Sequence, residues 1–88
     1  MEKKIFKRIN KTLADPRRYE ILGKIAAREK LSCVALKRSI PVTAATLSHH
    51  LKELNGAQLV EIERKGKFAH LRLRREVWNA YLKELAKL

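Results

Sequence analysis

The sequence predicts a mainly α-helical fold with one β-hairpin, in the order α-α-α-α-β-β-α. Two observations predict it. Apolar residues recur every three to four positions as far as Leu54 and again from Val77 onward, and between them two short runs rich in Val, Ile, Phe and Leu flank a glycine. A third observation, the placing of Asp15-Pro16, Pro41 and Gly66, marks where elements start and stop.

The first helix is expected over about 3–13. Ile5, Phe6, Ile9 and Leu13 share one side, and Lys3, Lys4, Lys7, Arg8 and Lys11 surround them, so the helix is amphipathic and basic. Asp15 caps a second helix, with Pro16 at the first helical position, where a missing N–H costs nothing. Tyr19, Leu22, Ile25 and Ala26 supply its apolar face, and it is expected to end near Arg28. Ser32 caps a short third helix through Val34, Leu36 and Lys37 to about Ser39, and Pro41 ends it by driving Ile40 out of the helical region. Thr43 caps the fourth helix, whose buried stripe is Leu47, Leu51 and Leu54; Gly56 stands near its end, where glycine accepts left-handed backbone. Helix, break, helix over about 32–56 is a helix-turn-helix. Leu59–Arg64 and Phe68–Leu73 flank Lys65-Gly66-Lys67, which predicts a hairpin over about 59–73 with glycine in the turn. Val77, Trp78, Tyr81, Leu82, Leu85 and Leu88 form a last amphipathic helix over about 75–88.

Eighty-eight residues make one domain, 1–88, and a chain this short buries only roughly 60% of its unfolded surface, so a partner subunit would help it. Neither end carries an apolar run long enough for a membrane span or a signal segment, which predicts a soluble, cytoplasmic protein. The 21 Lys plus Arg against 9 Asp plus Glu leave a net charge of +12, which points to nucleic acid first and an anionic membrane surface second. The lone Cys33 forms no internal disulfide and fits a reducing compartment.

Ile40–Leu54 carries most of the functional information. With its leucines turned inward, the fourth helix shows Ala44, Ala45, Ser48, His49 and Lys52 on its other faces, with Thr46 near the entry. Slim side chains let a helix enter a DNA groove; hydroxyls suit several base edges, alanine touches a thymine methyl, and Lys52 suits a phosphate or a guanine. In the hairpin, Arg64, Lys65, Lys67, Arg72, Arg74 and Arg75 appear with no acid among them, and Lys65 and Lys67 flank the tip, placed for phosphates or a minor groove. The same lysines also defend a hairpin edge against aggregation, and phosphate contact alone conveys no sequence information. Ile5, Phe6 and Ile9 at one end and Trp78, Tyr81, Leu82 and Leu85 at the other exceed what the core needs and predict a homodimer interface. Such dimers read two half-sites about 34–36 Å apart. His49 and His50 are adjacent and point about 100° apart on a helix, so they do not chelate one ion as an i, i+4 pair does. No CxxC, HExxH, triad or Gly-rich phosphate loop is present, so neither a metal site nor an enzyme is expected.

Together, Leu13-Ala14-Asp15-Pro16-Arg17-Arg18, the run Thr46-Leu47-Ser48-His49-His50-Leu51-Lys52, the strand start Leu59-Val60 and the Gly66-centred hairpin resemble the ArsR/SmtB family of winged helix-turn-helix repressors over nearly the whole chain. The resemblance implies a dimer joined through the first and last helices, the fourth helix in the major groove and the hairpin as a wing. It carries DNA contacts onto Thr43, Ala44, Ala45, Thr46, Ser48 and His49, supported by Lys65 and Lys67, and makes His50 a support of the helix. Metal-sensing members have Cys-Val-Cys in the third helix, where this chain has Ser32, Cys33 and Val34, and their last-helix ligands have no histidine counterpart within Arg75–Leu88, whose acids are Glu76 and Glu84. Pro41 replaces a glycine common in the family, so the turn must be built differently. The expectation is a dimeric repressor of double-stranded DNA without cofactor or metal at the usual sites, any small-molecule or protein effector being open. The rivals are a winged helix serving RNA or protein assembly and a basic membrane-surface protein anchored by the first helix.

Overall fold

The computed structural model describes residues 1–88. Its elements are α1 (Lys3–Leu13), α2 (Pro16–Ala26), β1 (Leu31–Ser32), α3 (Cys33–Ser39), α4 (Ala44–Gly56), β2 (Val60–Lys65), β3 (Phe68–Leu73) and α5 (Arg75–Ala86). The five helices and the hairpin are where the pattern of the sequence put them, and the architecture is the mainly α fold with a hairpin wing.

The caps act as their chemistry dictates. Side-chain oxygens of Asp15, Ser32 and Thr43 accept from the backbone N–H of Arg18, Ala35 and Thr46, each satisfying a donor that a helix start leaves unpaired. At Pro41 the chain makes a three-residue turn in which Val42 N–H donates to the Ile40 carbonyl at 3.0 Å. Proline's fixed negative φ suits the centre of such a turn, so no glycine is needed there.

Four details differ from expectation. Leu31 and Ser32 form an additional strand, β1, paired antiparallel with Leu71 and His70, so the sheet has three strands in the order β1-β3-β2. Two residues are too few to show alternation in sequence. In α2 the buried face is Ile21, Leu22 and Ile25, while Tyr19 is 58% exposed; Tyr19 lies about 120° round the helix from Ile25, outside the stripe. That helix ends at Ala26, two residues before Arg28.

The end of α4 is the third difference, because Gly56 is still helical and the left-handed residue is Gln58, at φ 64. Gln58 N–H donates to the Asn55 carbonyl and Leu59 N–H to Leu54, the paired bonds of a Schellman ending, with Leu54 and Leu59 both fully buried against the core. Gly56 instead leaves room for the Arg8 side chain, which crosses it towards Glu53. Fourth, Leu88 lies beyond α5 and is fully exposed.

Sixteen apolar residues form one core. Ile9 of α1, Ile21 and Ile25 of α2, Leu36 of α3, Leu54 of α4 and Leu71 of β3 are completely buried in it. In the hairpin, Val60, Ile62 and Arg64 alternate with Glu61, Glu63 and Lys65, and the first set lies opposite Leu73, Leu71 and Ala69. The inner face is therefore apolar near the core and turns cationic at Arg64. Gly66 has φ 61 and is the first of two loop residues; only it has positive φ, as a type II′ turn requires. No helix is long and apolar enough to cross a membrane.

Candidate nucleic-acid interface

The buried stripe of α4 sets what the helix displays. Leu47, Leu51 and Leu54 face the core together with His50, and Thr43, Ala44, Ala45, Thr46, Ser48, His49 and Lys52 are all exposed. At the entry, the Thr43 hydroxyl donates to the Thr46 hydroxyl at 2.9 Å while accepting the Thr46 N–H. Thr43 is thereby committed to the cap, and the Thr46 hydroxyl hydrogen remains free to donate outward.

Two grooves flank the helix. Between α4 and the hairpin, Ser48, Lys52 and Asn55 face Ile62, Arg64 and Ala69, with half-buried Cys33 also in the wall. Between α3 and α4, Ala44 and Ser48 meet Lys37 and Arg38. Ser48 is common to both. Lys37 and Arg38 did not emerge from the sequence, where a basic pair in a helix's last turn reads as a partner for the helix dipole. Thr43, Ala45, Thr46 and His49 line neither groove and occupy the open side of the helix. Lys65 closes the last strand pair with Phe68, and Lys67 sits in the turn, so the tip cations stand apart from Ser48 and Lys52.

The hairpin is less uniformly cationic in space than in sequence. Arg72 pairs with Glu61 across the strands, Lys65 lies 3.3 Å from Glu63, and Arg75 donates to the Ala26 carbonyl at 2.9 Å. Glu63 is shared with Lys30, and these lysines hold its carboxyl below the usual range. Arg64, Lys67 and Lys52 make no ion pair.

Behind α4, His50 is 7% exposed and accepts a hydrogen bond on Nδ1 from Arg18 Nε at 3.2 Å. Arg18 also donates to the Thr12 carbonyl, so one guanidinium joins the end of α1, α2 and α4. Burial lowers the His50 pKa; nearby Asp15 opposes that shift and Arg18 adds to it. A neutral ring is what the Arg18 bond requires, since a protonated imidazole has no acceptor.

At the terminal helices the structure divides the expected interface residues. Ile9 is completely buried and Tyr81 is 7% exposed, with its hydroxyl bonded to Asn10 at 2.5 Å and its ring 5.4 Å from Phe6. These two complete the core of the single chain and have no surface to offer a partner, which corrects their assignment to a subunit interface. Leu82 and Leu85 are exposed, and Ile5, Phe6 and Trp78 are half-buried. Nowhere do three His, Cys, Asp or Glu side chains gather in a group able to hold a metal ion.

A capped helix presented beside a cationic hairpin defines the class of winged helix-turn-helix transcriptional regulators, and comparison with known proteins gives the same class. A family model described as a helix-turn-helix domain matches residues 13–63. The arsenical resistance operon repressor of Bacillus subtilis is 38% identical over 74 residues, covering 84% of this chain and 70% of that protein. An ArsR-like transcriptional regulator from Rhodococcus sp. RHA1 superposes with a TM-score of 0.84 at 24% identity, over 96% of this chain and 78% of that one. A homodimeric winged helix-turn-helix DNA-binding domain from Mycobacterium bovis, described as a possible ArsR-family regulator, gives 0.77 at 25% identity, over 96% and 80%. The chain belongs to the ArsR family of winged helix-turn-helix transcriptional regulators.

Proposed function

We propose that this regulator is a cytoplasmic, dimeric repressor that binds double-stranded DNA sequence-specifically. The observation that carries this reading is the exposed side of α4, where Thr43, Ala44, Ala45, Thr46, Ser48, His49 and Lys52 stand clear of every acidic partner. Thr46, Ser48 and His49 read base edges in the major groove, and the alanines allow close approach. Lys52 and Arg64 grip the backbone beside them, and Lys65 and Lys67 extend that grip at the wing tip. The dimer forms through Ile5, Phe6, Trp78, Leu82 and Leu85, which leave apolar surface uncovered on the first and last helices.

The repressor role is supported by likeness to the arsenical resistance operon repressor of Bacillus subtilis, and the dimer by the homodimeric Mycobacterium bovis domain. Control by a metal at the third-helix position does not fit these residues. Ser32 is engaged as a helix cap, Val34 has no donor atom, and Cys33 stands alone. On the last helix, Glu84 is bound to the N-terminal ammonium and to Lys87. No cofactor is required.

Selection of bound sequences from a random duplex pool tests the reading. A two-fold symmetric site is the expected product, its affinity falling steeply with salt as condensed counterions are released. A pool with no enrichment, together with tighter binding to structured RNA, would move the assignment to the alternative of RNA assembly. Light scattering should return a dimer mass at micromolar concentration.

A further inference from the structure

We propose that the cleft between α2, β1 and α3 is a binding site for a small oxyanion of the phosphate type. Lys24 of α2, Arg28 and Lys30 of the following loop, Ser32 of β1, Ser39 of α3 and His70 of β3 line it. It shares no lining residue with the grooves flanking α4. Three cations from one helix and one loop converge on a concave surface, and Lys24 and Arg28 make no ion pair. Scattered surface lysines have no reason to converge in this way, because like charges repel.

The second observation is His70. Its Nδ1 is buried and has no hydrogen-bond partner, the one such side-chain atom in the molecule. Leaving a buried ring nitrogen unpaired costs free energy comparable to a lost hydrogen bond, and a turn of the His70 ring towards an anion in the cleft would recover that cost. His70 pairs in register with Ser32, whose hydroxyl accepts the Ala35 N–H and keeps its own hydrogen free to donate. The set is therefore two unpaired cations, Lys30, a hydroxyl and an imidazole that donates in the tautomer with its hydrogen on Nδ1. It matches an anion with several acceptor oxygens and suits a neutral or cationic ligand poorly. Of the nearby acids, Glu29 of the same loop does not line the cleft, and Glu63, across the strands from His70, is divided between Lys30 and Lys65. An arriving anion draws Lys30 away from it.

Such an oxyanion has two sources, a free phosphorylated solute or a DNA phosphate. Titration of the full chain with inorganic phosphate, followed by two-dimensional amide spectra against sodium chloride of equal ionic strength, tests the site without any DNA. Saturable shifts at Lys30, Ser32 and His70 are expected, with binding about tenfold weaker in Lys24→Ala/Arg28→Ala. Glu63→Gln should tighten it by removing a repelling charge and releasing Lys30, and the wild-type spectrum elsewhere shows that each variant is folded. Shifts equal to those with chloride, or unchanged by the variants, overturn the site. The source is then read from DNA affinity in chloride buffer, an arm that rests on the DNA-binding function proposed above. An unchanged affinity in Lys24→Ala/Arg28→Ala assigns the site to a free anion, and a weaker affinity with a shallower salt slope assigns it to the DNA backbone.

Discussion

The exposed side of α4 and the hairpin beside it are both polar, yet they are built on opposite plans. On α4, from Thr43 to Lys52, no displayed side chain is tied to a charge, and the one internal bond, Thr43 to Thr46, serves the cap. Within the two strands and their turn, Glu61 and Glu63 hold Arg72 and Lys65, and Arg64 and Lys67 are unpaired. The difference teaches that counting cations along a strand overstates its grip. Opposite charges across an antiparallel ladder stabilise the sheet at the expense of the field it projects. Reading and holding are thus separated, with α4 kept free to form directed bonds and the hairpin using part of its charge on itself.

That separation leads to graded expectations. The largest effect should come from Leu54→Ala. Leu54 is completely buried and its carbonyl accepts from Leu59 just before β2, so both regions depend on it. A loss of about 2–5 kcal/mol in denaturant unfolding is expected. Loss confined to α4, with the hairpin amides still protected from exchange, would show the two regions to be independent.

Next, Ser48→Ala/His49→Ala should lower the preference for a selected site over random duplex by about 1–3 kcal/mol while leaving affinity for random duplex nearly unchanged. An equal loss on both DNAs would turn α4 into a gripping element and erase the contrast. Smaller still, Arg64→Ala should reduce the slope of log affinity against log salt by about one, whereas Lys65→Ala, already paired with Glu63, should reduce it less. Equal slopes for the two variants would mean that the ion pair opens on binding.

The smallest effect concerns the support behind α4. The folded His50 pKa is lowered, so the unfolded chain takes up a proton first as pH falls. Stability is then full above the ordinary value of 6.5 and declines as pH drops below it towards the folded pKa. His50→Asn should flatten that part of the pH profile of thermal unfolding, and an unaltered profile would place the titration elsewhere.

What the sequence by itself determined is the five helices, the hairpin and the starts of three of those helices. Apolar spacing placed five helices, Asp15, Ser32 and Thr43 fixed three helix starts, and Gly66 located the hairpin turn, because each of these signals acts within a few residues of chain. The exposed roll of α4 followed as the complement of its leucine stripe. Tertiary structure decided everything that depends on a distant partner. The strand at Leu31–Ser32 exists only because β3 lies beside it, and Ile9 and Tyr81 belong to the core because α1 packs against α5. Arg72 of β3 loses its freedom to Glu61 of β2, and Arg18 reaches His50 across 32 positions of chain. Local periodicity reports which face of an element is apolar. What that face meets, and which charges remain free, is set by packing between segments far apart in sequence.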